Sequence, residues 1–187
     1  MKPALLILDM VKQSFSESFR GGILHKGKDE QVRVINDLAK YFRSRGFPIY
    51  WIIQKYRSDL SDAPLLMRKK KEMKFIEGTA GCELLDELQY RKGEPIIVKK
   101  RYSAFFGTNL QKRLQHDNID SLVVAGINTH ACIRQTSIDA YCHDYAVIWP
   151  QGGVNSSLPE YGDNTIKYMA GGLVEIMSIQ EIKILIG

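Results

Sequence analysis

The sequence lacks any hydrophobic run long enough to cross a bilayer. Its apolar opening, ALLIL (Ala4 to Leu8), is cut off by Asp9, too short for a membrane span or the core of a secretory signal. Cysteine is scarce as well. The three present, Cys82, Cys132 and Cys142, leave one unpaired in any disulfide scheme and lack zinc-binding spacing, so a reducing compartment and a cytoplasmic protein are expected. The four histidines, His25, His116, His130 and His143, show no ligand spacing either, and no metal is expected. Internal repeats, low-complexity tracts and a Pro/Gly-rich linker are all missing, which makes residues 1–187 one expected domain.

What is present is an ordinary globular composition, 44% hydrophobic and 25% charged, with a net charge of +5 and a pI near 9.0. The excess charge raises the question of nucleic acid. Its one dense run, MRKKKEMK (Met67 to Lys74, with Arg68 to Lys71 at its centre), has only Phe75 beside it. Single-strand recognition interleaves aromatic rings with basic groups, so the run reads as a solvated loop or helix face and no nucleic-acid partner is expected. The same field favours an anionic small substrate.

Apolar strand-like segments alternate with helical ones. PALLILD (Pro3 to Asp9), PIYWIIQ (Pro48 to Gln54), EPIIVKK (Glu94 to Lys100), SLVVAG (Ser121 to Gly126), YAVIWP (Tyr145 to Pro150) and LVEIMS (Leu173 to Ser178) read as strands. Between them, residues 29–46 form a helix with Val32, Ile35, Leu38 and Phe42 on one face and Asp29 as its N-cap. Residues 83–89, 109–116, 131–144 and 160–169 are also helical by pattern. Near-continuous apolar strands separated by helices mean a parallel sheet covered on both faces. GILHKGKD (Gly22 to Asp29) imitates the front of a phosphate-binding loop. Asp29 stands where Ser or Thr is needed, and the segment does not directly follow a strand, so a nucleotide cofactor is not expected.

In an open parallel sheet, functional groups gather outside the carboxyl ends of the strands. Asp9 ends the first strand, Lys99 the third, and Cys132 follows the fourth in the first turn of a helix. There the dipole and free N–H groups favour a thiolate. Alone, each has an ordinary explanation: a turn cap, a surface cation, a buried core cysteine. Together they supply a base, a cation and a nucleophile.

The wording around these residues resembles the isochorismatase-like cysteine hydrolases, which include nicotinamidases and N-carbamoylsarcosine amidases. The segments that carry the resemblance are ALLILDM (Ala4 to Met10), GTAGCELLDEL (Gly78 to Leu88), VKKRYSAFFGTNL (Val98 to Leu110) and VAGINTHACIRQTSIDAY (Val124 to Tyr141). It implies a three-layer α/β/α fold with a six-stranded, Rossmann-like parallel sheet and a catalytic triad of Asp9, Lys99 and Cys132. Lys100 falls at the variable position beside Lys99. A cis Ile127–Asn128 peptide is also implied, turning the Asn128 N–H toward the site beside the Cys132 N–H as an oxyanion hole. The implied activity is amide hydrolysis of a small molecule through an acyl-enzyme, by a homo-oligomer (dimer or tetramer) that needs no cofactor.

Nicotinamidases of this family resemble one another in an Asp-x-His metal motif after the second strand. Here that stretch is QKYR (Gln54 to Arg57). The CIRQTSIDAY wording is closest to the N-carbamoylsarcosine amidase branch; a metal-free nicotinamidase-like amidase and a non-catalytic binding member are the alternatives. Phe15, Tyr56, Phe105 and His130, with Phe19 nearby, are the expected pocket lining.

Overall fold

The computed structural model describes residues 1–187, the side chains of Arg20 and His25 excepted. Six strands form a parallel sheet in the order β3-β2-β1-β4-β5-β7: β1 (Pro3–Leu8), β2 (Ile49–Gln54), β3 (Ile96–Lys99), β4 (Ser121–Ile127), β5 (Ala146–Pro150) and β7 (Glu175–Met177). A two-residue strand, β6 (Val154–Asn155), adds to the end of β4. The six expected strands are therefore the sheet; only β6 was not legible, being too short to carry a pattern.

Alternation along each strand divides the core into two layers. Leu5, Ile7, Trp51, Val123 and Ala125 point to one face, where α1 (Lys28–Ser44) and α6 (Ile179–Ile186) cover them. Leu6, Leu8, Tyr50, Ile52, Ile97 and Val124 point to the other, under α3 (Leu110–His116), α4 (Arg134–Cys142) and α5 (Pro159–Met169). Every residue of β1, β2 and β4 is buried, as a sheet covered on both faces requires. The remaining helix, α2 (Leu65–Lys70), has no buried residue, packs only Met67 against the small cluster around Tyr56 and Phe75, and carries most of the basic run, Arg68 to Lys70, with Lys71 next to it. No helix is long and apolar enough to cross a membrane among the described residues.

Two local expectations differ from the fold. Helix α1 begins at Lys28 behind a left-handed Gly27 (φ 82), so Asp29 lies inside the first turn rather than at the N-cap. A carboxylate is favoured by the helix dipole in either place. Residues 83–89 are not helical. Lys12 donates its N–H to Glu83 O at 2.9 Å, Leu85 donates to Met10 O at 3.1 Å, and Val11 bridges Leu84. Asn36 then donates to Glu87 O and accepts from the Gln89 N–H, both at 2.9 Å. The backbone groups a helix would use are thus spent on holding the chain that leaves β1.

That chain exit needs one glycine. Gly126 on β4 is in register with Leu8 and has φ +116, and a Cβ built on it overlaps the Leu8 backbone. Its carbonyl accepts from the buried Gln31 side chain at 2.8 Å, which also reaches Gly153 O at 3.1 Å. Gly126→Ala should therefore cost more than about 3 kcal/mol in urea unfolding, through both the overlap and the φ. A loss under 1 kcal/mol, on the same principle roughly a surface value, would show that β1 and β4 can part freely.

Candidate active site

The period-2 geometry of strands sets the site. Gln54 continues the Tyr50–Ile52 face of β2, and Lys99 continues the Ile97 face of β3. The two are partners in register, so both side chains emerge on the side of the sheet that holds Cys132. Asp9 directly follows β1, where its positive φ of 57 turns the chain and its N–H donates to Ile52 O at 2.7 Å. After β4 the Ile127–Asn128 peptide is cis, and the chain makes a π-helical turn over Thr129–Ile133 before α4 begins at Arg134. Cys132 thus sits in that wider turn rather than in the first turn of the α-helix.

Three expected residues converge. Lys99 Nζ lies 2.8 Å from Asp9 Oδ2 and 3.2 Å from Cys132 Sγ, and donates to Arg101 O at 3.2 Å. Lys99 is fully buried, and Asp9 and Cys132 are each 5% exposed. Lys100 turns the opposite way, pairing with Asp62 at 2.6 Å, so the register that places Lys99 inward is the one adopted. Asp9 Oδ1 has no hydrogen-bond partner among the described residues and is free to take a proton.

The charges follow from burial. Desolvation, with Asp9 adding to it and Lys99 opposing both, pushes the Cys132 thiol up to about 12. The resting group is a thiol, not the thiolate that a helix start would favour. For Lys99, desolvation acts to lower the pKa, but the Asp9 carboxylate opposes it and the ammonium is held above its ordinary value. Asp9 and Lys99 are therefore a charged pair beside a neutral sulfur.

A cavity of about 230 Å³ opens over these groups. Its floor carries Asp9, Gln54, Asn128 and Cys132; Phe19, Tyr56, Phe75 and Tyr102 line its sides, and Pro64, Leu66 and Met67 form part of its wall. Of the expected lining, Phe19, Tyr56 and His130 are present. Phe15 is packed in the core under α1, and Phe105 is packed on the opposite side of the sheet, stacked with Tyr145 at 6.2 Å between centroids. Aromatic character alone cannot separate a pocket wall from core filling. His130 pairs with Ser156 Oγ at 2.6 Å, and burial holds the Tyr56 phenol above its ordinary pKa, with Asp9 adding to the effect.

Sequence reasoning missed Gln54, whose Nε2 lies 3.7 Å from Cys132 Sγ. Its parity with Ile52 and its register with Lys99 were the available signal. The Asn128 side chain accepts from the Ser157 N–H at 2.7 Å, which fixes the loop beside the sulfur. No group of three His, Cys, Asp or Glu side chains gathers to hold a metal among the described residues. Gln54 to Arg57 offers an amide, an ammonium, a phenol and a guanidinium, which do not fit zinc or iron.

A parallel three-layer α/β fold with an Asp, a Lys and a Cys meeting at its strand ends defines the class. Residues 3–181 match the isochorismatase domain, and the chain belongs to that family. A probable inactive nicotinamidase of Arabidopsis thaliana is 36% identical over 148 residues, 76% of this chain and 74% of that one. The N-carbamoylsarcosine amidase of an Arthrobacter species is 30% identical over 133 residues, 68% of this chain but only 49% of the amidase. Among solved structures, an isochorismatase family protein from Desulfovibrio vulgaris superposes with a TM-score of 0.88 at 26% identity, covering 99% of this chain and 98% of that one.

Removing either charge should expose the energetics of the pair. Lys99→Met and Asp9→Asn each leave one buried charge unpaired and should cost about 3–5 kcal/mol. The double variant should lose less than the sum by about 2 kcal/mol or more in urea unfolding. Because the fold raises the Lys99 pKa, its stabilisation is complete below the ordinary 10.5 and is lost as pH rises through the folded value. Wild-type stability should therefore fall more steeply above pH 10.5 than that of Lys99→Met. Additive losses and parallel pH curves would mean that the two charges do not depend on each other.

Proposed function

We propose that the protein is a cysteine-dependent amidohydrolase cleaving the C–N bond of a small amide, carbamoyl or ureido compound through a thioester, in the manner of N-carbamoylsarcosine amidases. Asp9, Lys99 and Cys132 are its catalytic residues, and the chain works as a single domain, in the cytoplasm, as a homo-oligomer and without a cofactor. The observation that carries the proposal is the Lys99 ammonium between the Asp9 carboxylate at 2.8 Å and the Cys132 sulfur at 3.2 Å, beneath a small cavity that Asp9 and Cys132 line. A buried cysteine with only a structural role has no use for a buried base and cation beside it.

In the first step Asp9 takes the thiol proton as the sulfur bonds to the substrate's carbonyl carbon and the C=O π pair moves to oxygen. The Asn128 and Cys132 N–H groups receive that oxyanion. Collapse re-forms the carbonyl and breaks the C–N bond; the nitrogen takes the proton from Asp9 and leaves as ammonia or an amine. Water then gives a proton to Asp9 and its oxygen to the thioester carbon. The C–S bond breaks, the sulfur takes the proton back, and the acid is released. Lys99 stays protonated throughout, as its raised pKa requires.

A second reading is favoured by one observation: the Arabidopsis relative is described as a probable inactive nicotinamidase. On that reading the chain binds a small molecule without turning it over. An ammonia-release screen over carbamoyl compounds, ureido acids and simple amides separates the two. Turnover of at least one class is expected, with Cys132→Ala and Cys132→Ser each lowering it by at least about a thousandfold while thermal unfolding is little changed. Chelator treatment should leave the rate as it was, and activity lost and then restored by zinc or iron would overturn the metal-free mechanism. Release from none of the compounds, with ligand-dependent thermal shifts, would favour the binding protein.

A further inference from the structure

The Lys99 ammonium has three close partners: it is ion-paired with Asp9 Oδ2 at 2.8 Å and donates to Arg101 O and to Cys132 Sγ, each at 3.2 Å. The sulfur therefore receives one donor from Lys99. When Asp9 removes the thiol proton, a full negative charge develops on an atom that is 5% exposed. A buried anion with a single donor is poorly solvated. Among the described residues, the one other side-chain donor at the sulfur is Gln54 Nε2, at 3.7 Å.

We propose that Gln54 is a further catalytic residue, donating its side-chain N–H to the Cys132 sulfur whenever that sulfur carries charge. This rests on the reading of Cys132 as the nucleophile. The donor acts twice in the cycle, once as the proton passes from sulfur to Asp9 and again as the C–S electron pair returns to sulfur in deacylation. No bond of Gln54 is made or broken. Its position is set by the sheet: it ends β2, pairs in register with Lys99 and is only 9% exposed. The two donors thus approach the sulfur from adjacent strands with little freedom to move apart.

The chemistry of position 54 explains why an amide suits it. A carboxylate there would place a second negative charge beside Asp9 and oppose ionisation of the sulfur. An apolar side chain would offer no donor. A second ammonium would compete with Lys99 for Asp9. An uncharged donor stabilises the thiolate without disturbing the Asp9–Lys99 pair. The same amide carries an acceptor, Oε1, on a residue that lines the cavity, where the N–H groups of an amide or carbamoyl substrate would lie.

The test is the rate of Cys132 alkylation, read by mass spectrometry at pH 8 in the intact protein, for wild type, Gln54→Leu and Gln54→Glu. Below the thiol's pKa this rate follows the thiolate fraction, so loss of the donor should slow Gln54→Leu about tenfold, and Gln54→Glu should be slower still. Iodoacetamide and acrylamide should give the same ratio, which separates ionisation from access. With a substrate in hand, kcat should fall by a similar factor and KM should change little. Should Gln54→Leu be unfolded at the assay temperature, the near-isosteric Gln54→Glu carries the measurement. Alkylation within twofold of wild type in a folded variant overturns the role of Gln54, whatever the turnover. Slowed alkylation in a protein that hydrolyses nothing supports the amide–sulfur contact and retires the amidase reading instead.

Discussion

Everything in the site depends on one buried ion pair, Asp9 with Lys99. A fully buried ammonium is costly, and here it is tolerated because a carboxylate lies at 2.8 Å and two further acceptors complete its hydrogen bonds. The pair fixes the ends of β1 and β3 relative to each other across the intervening β2. It also explains why the sulfur rests as a thiol. Burial raises the Cys132 pKa most and Asp9 adds to it, so Lys99 alone does not ionise it. The proposed base therefore has to act during attack rather than beforehand, and its free Oδ1 is where the proton can go.

Much of the sheet was legible because its strands are buried on both faces. PALLIL, IYWIIQ and SLVVAGI are unbroken apolar runs, and such runs between helices leave few alternatives to a covered parallel sheet. The positions of Asp9, Lys99 and Cys132 followed from strand ends together with the motif wording. What failed did so for local reasons. Residues 83–89 have a helical pattern, with Leu84, Leu85 and Leu88 apolar, but their backbone is claimed by Lys12, Met10 and Asn36. Tertiary hydrogen bonds override a short segment's propensity, since helix nucleation gains nothing from distant partners.

The pocket was much less legible than the triad. Phe15 and Phe105 lie near the motif residues in sequence, yet each is buried in a different layer of the core. The walls come instead from residues 64–67 and 72–75, which are placed by contacts the sequence does not announce: Tyr56 donates its N–H to Phe75 O at 2.8 Å, and the Phe75 N–H donates to Gln13 Oε1 at 2.7 Å. Loops of this kind take their course from a few specific bonds rather than from periodicity. Gln54 was missed for the opposite reason. A glutamine at a strand end is usually unremarkable, and only its register with Lys99 reveals which way it points.

The separation between what is fixed and what is free to vary follows from these sources of order. The Asp and Cys positions follow the central strands β1 and β4, and Lys99, at the end of the edge strand β3, is tied to them by a charge pair that any displacement would break. Gln54, at the end of β2, and Tyr56, just beyond it, are under a different constraint: their backbone is held by the sheet and by residues 75–77, and neither side chain belongs to the Asp9–Lys99 pair. A carboxylate and an imidazole could stand there in a relative that holds a metal, while an amide and a phenol stand there in this chain. The cavity wall built on α2, with Leu66 and Met67 beside basic residues turned to solvent, is bound to the core more loosely still. The chemistry of the proposed reaction is thus set by the sheet, and the choice of substrate falls to the segments that the sheet constrains least.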